Sequence, residues 1–399
     1  MQTELHETLR DTATGRRAEQ ILRTCVHCGF CNATCPTYAI TGDELDGPRG
    51  RIYLIKEVLE SGEGNPTAQR HLDRCLTCRA CETTCPSGVA YGELLEVGRG
   101  LVEESQRRGW FDRAVRGWLL AVVPRPRRFR RWARLGGWFR WLLPGRLRDA
   151  LPRLMRVRLG ELTSHSRKVL VLQGCVQQVA TPQANAALTR LLDARGLTVV
   201  HAEHEACCGS LNLHLGEHDR ALTNIRQNID ALTPHLEDVE AVISTASGCG
   251  VTIKDYPRLL ENDAEYAPRA AALARKFQDA AEFVTGESLG CRKVEEFERV
   301  AWQAPCTLQH GQQITGVVER LLAGAGYVLV NVKEAHACCG SAGTYSLLQA
   351  ELSAELRDRK LGALCAERPD VIATANVGCQ THLASASAVP VRHWLELLQ

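Results

Sequence analysis

The chain has 399 residues, 45% apolar and 24% charged, with a formal net charge of +2. This is the balance of a soluble globular protein of two or three domains, each long enough to bury a core, and the net charge by itself says nothing about nucleic-acid or acidic partners. No apolar run reaches the about 18 residues that a membrane-crossing helix needs.

The first thirty residues are polar and helix-prone, and they read as lacking an export signal. Eighteen cysteines in a chain read as cytoplasmic therefore point to metal or redox chemistry, not to a disulfide framework.

Residues 1–105 carry two cysteine quartets. Cys25, Cys28, Cys31 and Cys35 precede Pro36, and Cys75, Cys78, Cys81 and Cys85 precede Pro86, so both read C-x2-C-x2-C-x3-C-P. Three thiolates at this spacing can wrap one iron–sulfur cubane, while the fourth, carried off before proline, reaches the neighbouring one. The pattern predicts two [4Fe–4S] clusters. One would sit on Cys25, Cys28, Cys31 and Cys85, the other on Cys75, Cys78, Cys81 and Cys35. Zinc sites also use C-x2-C pairs, but they require neither the third cysteine nor the Cys-Pro. The 39 residues between the quartets include Gly47-Pro-Arg-Gly-Arg51 and a helical stretch over 52–60. This resembles a helical ferredoxin-like module, giving an all-α N-terminal domain. Arg49 and Arg51 read either as cations that steady the clusters or dock a partner, or as a solvated helix start.

Residues 106–160 form a basic aromatic segment. Between 107 and 158 lie sixteen arginines, no lysine, only two acids (Asp112 and Asp149) and five of the seven tryptophans: Trp110, Trp118, Trp132, Trp138 and Trp141. Tryptophan and arginine together suit a lipid headgroup layer or a partner-subunit interface, and one segment can serve both. Pro124, Pro126, Pro144 and Pro152 exclude a single long helix. No nucleic-acid motif accompanies the charge, so no nucleic-acid partner is expected.

Residues 161–290 and 291–399 read as a duplication. The first copy has strands over 168–172, 198–201 and 241–245, a helix carrying Leu222, Ile225, Ile229 and Leu232, and Cys175, Cys207-Cys208-Gly209 and Cys249. The second has strands over 300–304, 327–331 and 371–374, a helix carrying Leu348, Leu352 and Leu356, and Cys306, Cys338-Cys339-Gly340 and Cys379. In both copies 31 residues separate the single cysteine from the pair; 40 and 39 separate the pair from the last cysteine. Strands alternating with helices imply two α/β units with mostly parallel strands. Cys175, Cys249, Cys306 and Cys379 then follow strand ends, where ligands gather. Both thiols of a Cys-Cys pair can face one metal only on a tight turn, which Gly209 and Gly340 permit. A further cluster or metal is the favoured reading of these eight cysteines; buried structural thiols are the other.

Two quartets followed by two Cys-Cys-Gly domains resemble the glycolate oxidase iron–sulfur subunit family. The likeness includes Thr24-Cys-Val-His-Cys-Gly-Phe-Cys31, Pro48-Arg-Gly-Arg-Ile-Tyr-Leu-Ile-Lys56 and both Ala-Cys-Cys-Gly-Ser segments, and it spans almost the whole chain. Heterodisulfide reductase subunits and the cluster subunit of anaerobic glycerol-3-phosphate dehydrogenase share this architecture. In the disulfide reductases each repeat ends in C-x2-C and binds an unusual cluster. Here the endings are Ala246-Ser-Gly-Cys249 and Asn376-Val-Gly-Cys379, one ligand short. His204, His310, His336 and Asn376 could substitute, though each also has an ordinary surface or core reading.

The resemblance implies an electron-transfer subunit, not catalytic alone, that takes electrons from FAD-containing subunits oxidising glycolate to glyoxylate, or D-lactate to pyruvate. It would pass them to a membrane quinone or other acceptor, peripherally on the cytoplasmic face of the inner membrane. No G-x-G-x-x-G follows a predicted strand, which agrees with a flavin carried elsewhere.

Overall fold

The computed structural model describes residues 1–142, 154, 157, 159–286, 291–294 and 296–398; Pro144, Asp149 and Pro152 lie outside them. Its N-terminal part is helical: α1 (Ala13–Thr24), α2 (Pro36–Thr41), α3 (Pro48–Ser61), α4 (Pro66–Asp73), α5 (Ala80–Thr84) and α6 (Tyr91–Ser105). Local signals set these bounds. Pro48 occupies the first turn of α3, where its missing N–H costs nothing, and Gly62 ends the helix with a left-handed φ of 75°. The Asn65 side chain accepts the N–H of Ala68 and caps α4. Ile52, Ile55, Val58 and Leu59 form a stripe on α3 that is buried with Leu94, Leu95 and Val102 of α6.

The basic segment folds as two helices, α7 (Trp110–Val122) and α8 (Pro126–Trp138), broken at Pro124 as expected. Trp118 and Trp132 meet edge to face at 5.4 Å across this hairpin. Trp110, Trp138 and Trp141 remain exposed. Not all of its arginines face outward. Arg108 and Arg116 pair with Asp73 at 2.6 and 2.9 Å and fasten the hairpin to the first domain.

The first repeat runs β1 (Arg167–Val171), α9 (Gln183–Asp193), β2 (Leu197–Val200), α10 (His218–Leu232), β3 (Val242–Ser244), α11 (Ser247–Lys254), α12 (Tyr266–Lys276), β4 (Phe277–Asp279) and α13 (Ala280–Gly286). The second runs β5 (Arg299–Gln303), α14 (Val317–Gly324), β6 (Val328–Leu329), α15 (Ala350–Cys365), β7 (Val371–Thr374), α16 (Val377–Ala384) and β8 (Val391–His393). The sheet orders are β2-β1-β3-β4 and β6-β5-β7-β8, and every pairing is parallel. The molecule is therefore mixed α/β, with a helical N-terminal region and two parallel-sheet units.

Side-chain alternation divides each sheet between two cores. Val169, Val171 and Ile243 join Val300, Trp302, Val371 and Ala373 in one apolar cluster that draws on both repeats. Leu170, Leu172 and Val242 face the other way, into a cluster of the first repeat, and Ala301 and Ile372 do the same in the second. Parallel sheets need cover on both faces, and here each repeat supplies one cover for the other.

Two strands were not foreseen. β4 and β8 have three residues each, too few for periodicity to register. The expected strand over 327–331 shortens to two residues. Leu348 also lies outside α15, because Gln349 breaks the helix there.

Candidate metal centres and their surroundings

The two quartet loops have the same backbone shape. His27 and Gly29 in the first, and Thr77 and Arg79 in the second, adopt left-handed φ values of 55°, 81°, 55° and 58°. They stand at matching positions, immediately before and after the middle cysteine, and they curl each loop so that three thiols turn inward. Only Gly29 adopts this conformation without strain; a β-branched residue such as Thr77 seldom does. Strain of this kind persists where surrounding structure over-determines it.

Cys25, Cys28, Cys31 and Cys85 line one cavity, joined by Cys81 from the neighbouring group. Cys35, Cys75, Cys78 and Cys81 line a second. The fourth cysteine of each quartet thus lies with the other quartet's first three. All eight are free thiols. Burial, with the nearby Cys25, Cys85 and Cys28, pushes Cys31 up to about 11. Burial also drives Cys78 and Cys81 well above their ordinary value. A bound cation is what favours thiolate in such surroundings. Four convergent sulfurs around a mostly apolar space fit an iron–sulfur cluster.

The cations beside the second group are fixed. Arg51 is fully buried; its Nε donates to the His71 carbonyl at 2.8 Å, and its guanidinium reaches the Thr37 hydroxyl at 3.2 Å and Cys35 Sγ at 3.9 Å. The solvated reading of Arg51 therefore fails: its charge is set inside the protein, with buried Asp46 at 3.6 Å. Arg49 instead pairs with Glu44 nearer the surface. Sequence reasoning missed Arg99 and Tyr91. Arg99 donates to the carbonyls of Leu72 and Cys75 at 2.8 and 2.7 Å, and the Tyr91 hydroxyl donates to Cys75 Sγ at 3.5 Å. Burial, the largest influence, raises the Cys75 thiol, yet Arg51 and Arg99 together bring it below its ordinary value. Both residues sit on α6, whose Gly98-Arg99-Gly100 run gave no hint of a buried charge.

Each Cys-Cys-Gly repeat gathers a tetrad of sulfurs. Cys175 donates to Cys207 at 3.5 Å, and Cys208 lies between Cys207 and Cys249. Cys306 and Cys338 are 3.9 Å apart, and Cys339 lies between Cys338 and Cys379. Gly209 and Gly340 make the turn with φ of 89° and 86°. Hydrogen bonding to Cys207 and burial hold the Cys175 proton on, while the hydrogen bonds from Cys175 and Cys208 lower Cys207.

Of the proposed substitutes for the missing ligands, Asn376 points its amide nitrogen at Cys379 Sγ, 3.8 Å away. Its counterpart Ala246 has nothing to offer. His310 bonds Thr83 and the His336 carbonyl, so it serves the contact with the first domain. Arg79–Asp255 and Arg258–Glu96 ion pairs complete that contact. Cys291 and Cys365 stand outside all four groups.

Residues 21–89 match the family described as 4Fe-4S dicluster domain, and residues 169–254 and 300–384 match the Cysteine-rich domain family. The chain is 47% identical to the glycolate oxidase iron-sulfur subunit of Escherichia coli, over 100% of its own length and 98% of that protein's. It is 32% identical to the probable glycolate oxidase iron-sulfur subunit of Bacillus subtilis, over 91% and 88% of the two lengths. A crystal structure of a hypothetical protein from Helicobacter pylori shares the fold, with a TM-score of 0.53 at 10% identity over 98% of this chain and 72% of that one. Two dicluster cysteine groups, a duplicated cysteine-rich unit and end-to-end similarity lead to one conclusion: this chain belongs to the family of glycolate oxidase iron–sulfur subunits.

Proposed function

We propose that the chain is the electron-relay subunit of a glycolate oxidase complex. It carries one [4Fe–4S] cluster on Cys25, Cys28, Cys31 and Cys85 and another on Cys75, Cys78, Cys81 and Cys35. A partner subunit's FAD takes the hydride equivalent from glycolate, or from D-lactate, and releases it as single electrons, since clusters accept one at a time. The relay passes them to a membrane quinone or other acceptor. Boundaries at 1–105, 106–160, 161–290 and 291–399 divide the chain into cluster domain, docking segment and two cysteine-rich domains, whose tetrads hold a further cluster or metal.

The observation that supports this reading is that Cys85 lines the cavity of Cys25, Cys28 and Cys31, while Cys35 lines that of Cys75, Cys78 and Cys81. Replacing Cys85 with Ser and purifying the chain without air tests it. Electron paramagnetic resonance of the reduced variant should lose the signal of the first group and keep that of the second. Two intact signals would refute the assignment.

Membrane contact is proposed through the α7–α8 hairpin. Its exposed Trp110, Trp138 and Trp141 and its arginines suit an anionic headgroup layer. No helix among the described residues is long and apolar enough to cross a membrane.

A further inference from the structure

The two tetrads differ in the charge set beside them. Lys360 of α15 is 2% exposed, which a lysine almost never is unless it is paired. An ammonium has three N–H donors, and two of them here reach the carbonyls of Glu334 and Ala335 at 3.1 and 3.0 Å. Those carbonyls belong to the loop that leads into Cys338. Leu361 and Leu364, its neighbours on α15, share an apolar cluster with Cys339 and Cys379. Lys360 therefore stands just behind the cysteine pair. Among the described residues no carboxylate forms an ion pair with it. Glu334, the acid beside it, is held by Arg359 at 2.9 Å. Burial lowers the Lys360 ammonium, and the neighbours that oppose this most are Cys339, Cys338 and Cys379, ahead of Glu334. A buried cation without a partner is costly unless an anion lies close.

The first repeat puts no cation in the matching place. The corresponding turn of α10 carries Asn228 and Ile229, both buried and both uncharged. Asn228 does the part of this work that concerns the backbone. It donates to the Cys207 carbonyl at 3.0 Å and accepts the Ala206 N–H at 2.8 Å. Holding the loop therefore needs no charge. Asn376 adds to the contrast, with an amide nitrogen 3.8 Å from Cys379 Sγ where the first repeat has Ala246.

We infer that Lys360 is the counter-ion of an anionic metal–thiolate centre on Cys306, Cys338, Cys339 and Cys379, and that the first tetrad holds its centre without one. The inference rests on the reading above that the tetrads hold a cluster or metal. Four thiolates outweigh a divalent metal, so a centre on them stays negative, and the ammonium offsets that charge inside the protein. Groups that touch the ligands and not the metal govern how firmly the metal is kept. Lys360 acts in this way on the second tetrad alone.

Substitution of Lys360 separates charge from shape. Lys360→Gln keeps an N–H for the loop carbonyls and removes the charge, whereas Lys360→Arg keeps the charge. The full chain is purified without air, its metals are counted, and their release into excess EDTA is followed. Metal missing from Cys339→Ser marks the second tetrad, and metal missing from Cys208→Ser marks the first. The second-tetrad metal should leave Lys360→Gln at least about tenfold faster than wild type. It should leave Lys360→Arg at the wild-type rate, and release from the first tetrad should be the same in all three. Equal release from wild type and Lys360→Gln would overturn the counter-ion role, and so would release from Lys360→Arg as fast as from Lys360→Gln. A Cys339→Ser chain that keeps the full metal content would remove the tetrad centre itself and leave the two quartet clusters standing.

Discussion

The two cysteine-rich repeats are built alike and placed differently. Both have a four-stranded parallel sheet in the same order, a pair of cysteines before a left-handed glycine and four sulfurs in a row. The apolar side chains packed around the first tetrad all belong to its own repeat. The second shares its apolar surroundings with Leu76, Cys78 and Ile40 of the N-terminal domain. What the copies share is the backbone needed to bring four sulfurs together; what separates them is what was laid against the outside. A repeated cysteine frame can thus take two different surroundings with no change in its own backbone.

The largest expected difference lies in the glycine turns. A Cβ at Gly340 would stand 2.7 Å from the Ser353 carbonyl oxygen and 2.8 Å from Leu356 Cβ, both part of α15. At Gly209 the nearest atoms, Ile225 Cγ1 and the Ala221 carbonyl oxygen, are farther away, at 3.1 and 3.3 Å. Both substitutions to alanine carry the left-handed strain of about 1–2 kcal/mol. Gly340→Ala adds overpacking of about 1–3 kcal/mol against a helix backbone. Chemical denaturation should show Gly340→Ala destabilised by about 3 kcal/mol and Gly209→Ala by about half as much. Equal losses would mean that the two turns are held with equal tightness.

An acid titration separates the repeats next. His393, at the end of β8, is buried; its Nδ1 accepts the N–H of Leu395, so its Nε2 carries the proton and donates to the Thr245 carbonyl of the first repeat at 2.8 Å. Burial pushes it down to about 4. The unfolded chain therefore takes up this proton first as pH falls. The stability tied to neutral His393 is complete above about 6.5 and is lost towards 4, at about 1.4 kcal/mol per pH unit. His382, lowered to about 4, and His214, to about 3, act in the same sense, each chiefly through burial. Asp279 occupies the matching strand end in the first repeat, and burial pushes it up to about 6. Its sign is opposite: its contribution is present at low pH and is lost as pH rises through 6. Thermal melts from pH 5 to 7.5 should therefore rise with pH. The slope should be shallower in His393→Asn and steeper in Asp279→Asn, and parallel slopes in all three would contradict the burial of both groups.

How much of this was legible depended on whether the signal was local. The quartet spacing and the Cys-Cys-Gly repeats are written in neighbouring residues, and so are the helix over 52–60, the break at Pro124 and six of the eight strands among the described residues. β4 and β8 escaped because three residues leave no period to read. Arg51 was open to two readings because nothing near it in sequence says that Asp46, Thr37 and the His71 carbonyl will enclose it. The adjacency of Cys78 to Cys306 and Cys338 arises from docking the first domain on the second repeat. That docking depends on scattered pairs such as Thr83 with His310, which no spacing encodes.

The finest distinction between the repeats is one side chain, Asn376 against Ala246. Asn376 stands at the N-cap of α16 but does not cap it. Its amide instead spans the two repeats, bonding Cys379 at one end and the Gly248 N–H at the other. Asn376→Ala makes the second ending match the first and leaves that N–H, at the start of α11, without its side-chain acceptor. The loss should be about 1 kcal/mol, the net worth of one such hydrogen bond. It is read as a lower denaturant midpoint at constant slope. Asn376→Asp keeps the acceptor for Gly248 but turns an oxygen lone pair towards Cys379 in place of the N–H. Stability that recovers in the aspartate variant would locate the effect at Gly248, whereas a further drop would locate it at the sulfur.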